Sequence, residues 1–132
     1  MAKKKESLVS YEIIIEPEDM DFRGNCSARG TEVDSETEQW IASELRSGNE
    51  CAWCWVKVVA RFEGYTGEDS LGGCSYRSRA DLDAELIPGM KDEARAILRN
   101  AIEYRTRGAV RDARAEARKA KIALAKLDKE GV

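Results

Sequence analysis

The chain alternates apolar and polar positions over residues 8–16, where Tyr11, Ile13 and Ile15 interleave with Ser10, Glu12 and Glu16. A period of two in a β-branched run predicts a strand, and Pro17 closes it because proline cannot donate to a sheet ladder. Residues 22–28 read as a short strand or an irregular segment, weakened by Gly24 and Gly30. Ser35 with Glu38 three residues on has the spacing of a capping box, which predicts a helix start near Ser35. Trp40, Ile41 and Leu45 give that helix an apolar face, and Gly48-Asn49 ends it. Residues 52–62 form the strongest strand pattern. Ala52, Cys54, Val56, Val58 and Ala60 make one small apolar face, which belongs in the core. Trp53, Trp55, Lys57, Val59 and Arg61 make the other. Gly64, Thr66 and Gly67 predict a turn, with residues 71–76 returning as a hairpin strand broken by Gly72-Gly73.

Beyond this point the period changes. Ser78 with Asp81 caps a short helical turn through Leu86, and Pro88-Gly89 punctuates the chain. A long helix follows from about residue 90 to about residue 127, rich in alanine, arginine, lysine and glutamate. Its stripe of Leu98, Ile102, Thr106, Ala109, Ala113, Ala117, Ala120, Leu124 and Leu127 advances in steps of three and four. Gly108 is the expected weak point, a kink or a break. A helix of that length exceeds what a small domain covers, so either it breaks near Gly108 and folds back or its second half projects. The alanine seam then calls for a partner helix and predicts a dimer or higher oligomer, a homodimer through the C-terminal helix being one form.

The expected fold is therefore α+β. It has a small antiparallel sheet of three to four strands, one short acidic helix and a long C-terminal helix. Residues 1–7 read as a flexible tail, 8–104 as the α+β domain and 105–132 as a basic helical extension of the last helix. At 132 residues the chain is long enough to bury a real core. No apolar run reaches the length of a membrane span, and the lysine-rich start lacks the apolar stretch of a secretory signal.

Charge adds an asymmetry. The formal net charge is −3, with 22 basic and 25 acidic residues. Residues 6–50 hold twelve acids against three bases, whereas residues 105–132 hold nine bases against four acids. Ends of opposite sign suggest self-association or two surfaces for two partners. Arg107, Arg111, Arg114, Arg118 and Lys121 step by four, three, four and three, which lays five cations along one helix face. They fit phosphates or an acidic protein surface, or else a solvated face with ion pairs inside the helix. Glu32, Asp34, Glu36, Glu38 and Glu44 are the candidate acidic set, able to imitate a nucleic-acid backbone toward a basic groove. Trp53, Trp55, Lys57 and Arg61 share one strand face and offer an alternative site for a nucleic acid or nucleotide, unless the long helix simply packs over them.

Nothing in the pattern supports catalysis. The chain has no histidine, which removes the commonest general base and metal ligand. Cys51-Ala-Trp-Cys54 is a C-x-x-C, but a strand would turn its two thiols to opposite faces, and no second pair accompanies it. With Cys26 and Cys74 these residues read as reduced core side chains. Gly72-Gly73-Cys74-Ser75 lacks the closing glycine of a nucleophile elbow, and no phosphate-binding loop or dinucleotide fingerprint is present. No catalytic residue, metal or cofactor is expected.

The segments Phe22-Arg23-Gly24-Asn25, Ala52-Trp53-Cys54-Trp55-Val56-Lys57-Val58 and Gly67-Glu68-Asp69-Ser70-Leu71-Gly72-Gly73-Cys74-Ser75-Tyr76, then Met90-Lys91-Asp92-Glu93-Ala94, resemble a group of small proteins encoded in bacteriophage genomes. Members carry an R-G-N element, a W-A-W-like strand and an L-G-x-C-S-Y element before a helix. The resemblance covers residues 20–103. Cys26 and Cys51 stand outside the pattern, and the chain from about Arg105 looks like an extension. What the resemblance implies is a phage or prophage accessory protein in the host bacterium's cytoplasm, an anti-defence inhibitor of the anti-CRISPR kind that binds a host defence protein.

Overall fold

The computed structural model describes residues 8–26 and 32–130 of the 132. The expected tail at residues 1–7 lies outside them. The chain divides into two units, residues 1–98 and residues 99–132. The elements in order are β1 (Ser10–Pro17), α1 (Glu32–Arg46), a 3-10 turn at Glu50–Ala52, β2 (Cys54–Phe62), β3 (Tyr65–Cys74), α2 (Arg79–Glu85) and α3 (Ile87–Lys129). The fold class is α+β.

The sheet has three antiparallel strands in the order β1-β2-β3. β2 lies in the middle because both of its faces can be covered. Cys54, Val56, Val58 and Ala60 are fully buried, and Val59 on the opposite face is 5% exposed. β1 pairs along its whole length, with Ile13 opposite Val58 and Ile15 opposite Val56. Pro17 sits at the last pair, opposite Cys54, on an edge strand where its missing N–H is tolerated.

The hairpin differs from the expected one. Phe62 pairs directly with Tyr65, so the turn is only Glu63-Gly64, with φ of 50° and 80°. Two successive left-handed residues match the right-handed twist of the flanking strands. Thr66 and Gly67 therefore belong to β3. Gly67 pairs with Ala60, as does Tyr11 from the other side, so these three share a face. A Cβ on Gly67 would lie 2.8 Å from Leu98 Cα and closer still to Leu98 N and Ala94 O. The start of α3 thus rests directly on the sheet backbone, with Ala94 fully buried and Lys91 Nζ over the Tyr11 ring at 5.3 Å. The long helix covers the small apolar face and not the tryptophan face, because only glycine and alanine allow that approach.

α1 begins at Glu32, so Ser35 lies inside the helix rather than ahead of it. Glu38 Oε1 accepts instead from the Gly24 N–H at 2.7 Å, which pins the irregular 22–26 segment to the helix. The C-terminus follows expectation. Gly48 has φ +94°, Asn49 N–H donates to Glu44 O at 2.9 Å and Gly48 N–H to Leu45 O at 3.2 Å. That pair of bonds satisfies the last carbonyls of the helix. Ser78 caps α2 by accepting from Asp81 N–H at 3.1 Å. Pro88 and Gly89 fall within the first turn of α3, where proline's missing N–H costs nothing. α3 runs through Gly108 without a break. One glycine costs about 1 kcal/mol against alanine, too little to interrupt a run of strong helix formers.

Candidate functional site

The core side chains run from Ile41 to Leu98 and stop there. From Tyr104 to Glu130 every residue of α3 is exposed except half-buried Gly108. Helical geometry alone therefore sets the charges of the second unit. Arg99 Nε donates to Glu103 at 3.1 Å, and Arg107 lies 3.7 Å from the same carboxylate. The neighbouring acids Asp112 and Glu116 lie off the basic stripe. Arg111, Arg114, Arg118 and Lys121 consequently have no acidic partner among the described residues. With Ala117 these four line a shallow open groove of about 500 Å³. Like charges three and four residues apart cost the helix a few tenths of a kcal/mol per pair. An arrangement that the helix itself disfavours is suited to an anionic surface brought from outside.

The acidic candidates do not form a comparable surface. Glu36 is exposed, but Glu38 and Glu44 are half-buried, and Glu38 is committed to the Gly24 N–H. Steps of two and six residues also spread these three around the helix. Glu32 and Asp34 lie in α1, with side chains outside the described residues.

The tryptophan set is split by its surroundings. Trp53 is 4% exposed. Its indole N–H donates to Met20 O at 2.7 Å, and its ring meets Phe22 edge-on at 6.4 Å. Trp55 is half-buried. Lys57 pairs with Glu68 at 3.1 Å and Arg61 with Glu12 at 2.6 Å. Glu12 and Glu68 lie opposite Val59 on its two sides. Two ion pairs thus frame Val59, and of the two indoles Trp53 is closed to a stacking base while half-buried Trp55 keeps part of its ring open.

Two of the segments that carry the phage-protein resemblance meet at Trp53, through Phe22 and Gly73. Glu18 Oε2 accepts from Gly73 N–H at 2.8 Å. Gly73 has φ +64°, and a Cβ there would lie 3.4 Å from Trp53 Cη2. Asn49 Nδ2 donates to Tyr76 O at 3.2 Å and Arg77 O at 3.0 Å. These contacts are architectural, and they place the motif residues in packing roles.

The 3-10 turn takes Cys51 out of the strand, so strand alternation does not separate it from Cys54. Both thiols, and Cys74 directly opposite Cys54, are buried and free. Burial pushes the Cys54 thiol up to about 12, with the neighbouring Cys74, Cys51 and Glu18 adding to it. Burial also raises Cys51 and Cys74. Nucleophilic sulfur chemistry needs the thiolate, and these sites suppress it. Among the described residues no cluster of three or more Cys, Asp or Glu is arranged to hold a metal ion.

Sequence reading missed a second concavity, lined by Glu36, Thr37, Trp40, Ser75 and Arg77. It joins α1 to the segment after β3, a juxtaposition that no local pattern announces. No family model matches the chain, and no curated protein or solved structure is similar to it. Among the described residues no helix is long and apolar enough to cross a membrane.

Proposed function

We propose that this protein works by occupying a surface rather than by turnover. In this reading it is a phage-type inhibitor that docks its basic helix on an acidic face of a bacterial defence protein, such as a subunit of a CRISPR effector complex, in the host cytoplasm. The observation that carries the docking is the run Arg111, Arg114, Arg118 and Lys121, aligned on one helix face without acidic partners among the described residues. The phage setting rests on the motif order, and binding without chemistry is in keeping with thiols held protonated by burial.

Affinity capture from a phage-sensitive bacterial lysate tests this. The parent chain is expected to retain an acidic protein, and the triple variant Arg111→Glu, Arg114→Glu, Arg118→Glu to lose it while keeping its helix content. Salt should weaken the complex, since the contact is electrostatic. A parent chain that shifts DNA or RNA at low salt, with a loss of about one unit of salt slope per arginine removed, would replace the protein partner by a nucleic acid. Retention of the partner by the triple variant would remove the basic helix from the account.

A further inference from the structure

The basic stripe is not the only unfilled face of the second unit. Ile102, Thr106, Ala109, Ala113, Ala117, Ala120 and Leu124 form a seam whose steps are four, three, four, four, three and four. Ile102 to Ala113 to Leu124 repeats every eleven residues, as do Thr106 to Ala117 and Ala109 to Ala120. That is 3.67 residues per turn, so the seam stays on one side of a nearly straight helix and favours a right-handed crossing. Leu124 is 59% exposed at its end, and Leu127 beyond it 50%. Thr106 fits the seam despite its hydroxyl, because Oγ1 donates back to Ile102 O at 3.0 Å and leaves its methyl outward.

The pattern reads the same in both directions about Ala113. We infer that this face binds a second copy of the chain, antiparallel, with the two-fold axis at Ala113. Each Ile102 then meets Leu124 of the second copy, Thr106 meets Ala120, and Ala109 meets Ala117. Large side chains close both ends and alanines let the backbones approach between them.

On one flank the charges are largely complementary in this orientation, two attractive pairs each made twice against one repulsion between the two Arg114 side chains, which lie about 100° from the seam and meet beside the axis. Arg99 comes level with Asp128 of the second copy, and Glu103 with Lys121, each pair occurring twice. Glu103 already shares itself between Arg99 and Arg107, exposed contacts worth little and easily exchanged. The other flank carries Asp112 and Glu116 between Arg105 and Lys119, and is close to neutral. At about 100° per residue the arginines at 107, 111, 114 and 118 centre roughly 130° from the seam, so pairing leaves a basic stripe outward on each copy. This inference does not depend on the proposed function. Self-association without a lysate partner, or the reverse, separates the two.

Sedimentation of the full chain tests it. The parent is expected at twice 14.8 kDa. Ala113→Arg, which sets two bulky cations against each other at the axis, is expected at the single-chain mass with unchanged helix content. Ala125→Arg, on the basic face, should remain double. Orientation is read by mixing an Ile102→Cys chain with a Leu124→Cys chain under mild oxidation and mapping the linked peptides. A link between unlike copies supports the antiparallel pair. A parent at single-chain mass, a double-mass Ala113→Arg, or linkage of two Ile102→Cys chains to each other through that position would overturn it.

Discussion

Gly67 is the residue on which the packing turns. It has no side chain, and its place against the α3 backbone at Ala94 and Leu98 leaves none possible. The obstacles are main-chain atoms, which do not rotate away. Gly67→Ala should therefore cost about 1–3 kcal/mol, the usual range for overpacking, read as a lower urea midpoint with an unchanged slope. The buried thiols make a second prediction at this scale. Cys54 has a folded value near 12 against 9.0 when solvated, so folding favours its protonated form. The unfolded chain loses this proton first. Stability should hold below about pH 9 and fall between about pH 9 and pH 12, with Cys51 and Cys74 acting in the same direction. Thermal melts across that range would show it, and Cys54→Ser should flatten the decline. A thiol reagent at pH 8 should spare Cys51, Cys54 and Cys74 in the folded protein.

Elements were more legible in the sequence than their limits. The alternation holds along β1 and over residues 54–58 of β2, but Val59 is buried on the second face of that central strand, and Ala52 lies in the 3-10 turn before it. The hairpin turn was misplaced because Glu63 carries φ 50°, a conformation its residue type does not advertise. The α1 start was misplaced for a related reason: the Ser35–Glu38 spacing is a local signal, and Glu38 is bound elsewhere by the distant Gly24. The basic stripe was legible because an exposed helix obeys its own period. The tryptophan face was not, since its ion pairs come from three strands. α3 also yields an element-scale prediction. Arg114→Glu removes a repulsion with Arg111 and Arg118 and creates attractions in its place. It should raise helicity slightly, by circular dichroism, while weakening partner binding; stability and function are expected to move in opposite directions.

At the scale of the whole molecule, the fifteen buried core residues among those described lie between positions 41 and 98. A chain ended after Glu103 should therefore keep the near-ultraviolet signal of Trp53 and a urea midpoint close to that of the parent, while losing both partner capture and self-association. A large fall in midpoint would mean that the second unit contributes to the core after all. The chain divides after Leu98, and half-buried Ala101, Ile102 and Glu103 carry partial burial on to Tyr104, where near-continuous exposure begins.

The fading of burial between Leu98 and Tyr104 has a consequence for how such a chain can change over generations. Substitutions beyond it and off the inferred seam should meet little folding penalty. Those beneath it are held fast by Gly67 and the close-packed alanines. One continuous helix thus joins a stretch whose replacements should loosen the core to one whose replacements should leave it standing.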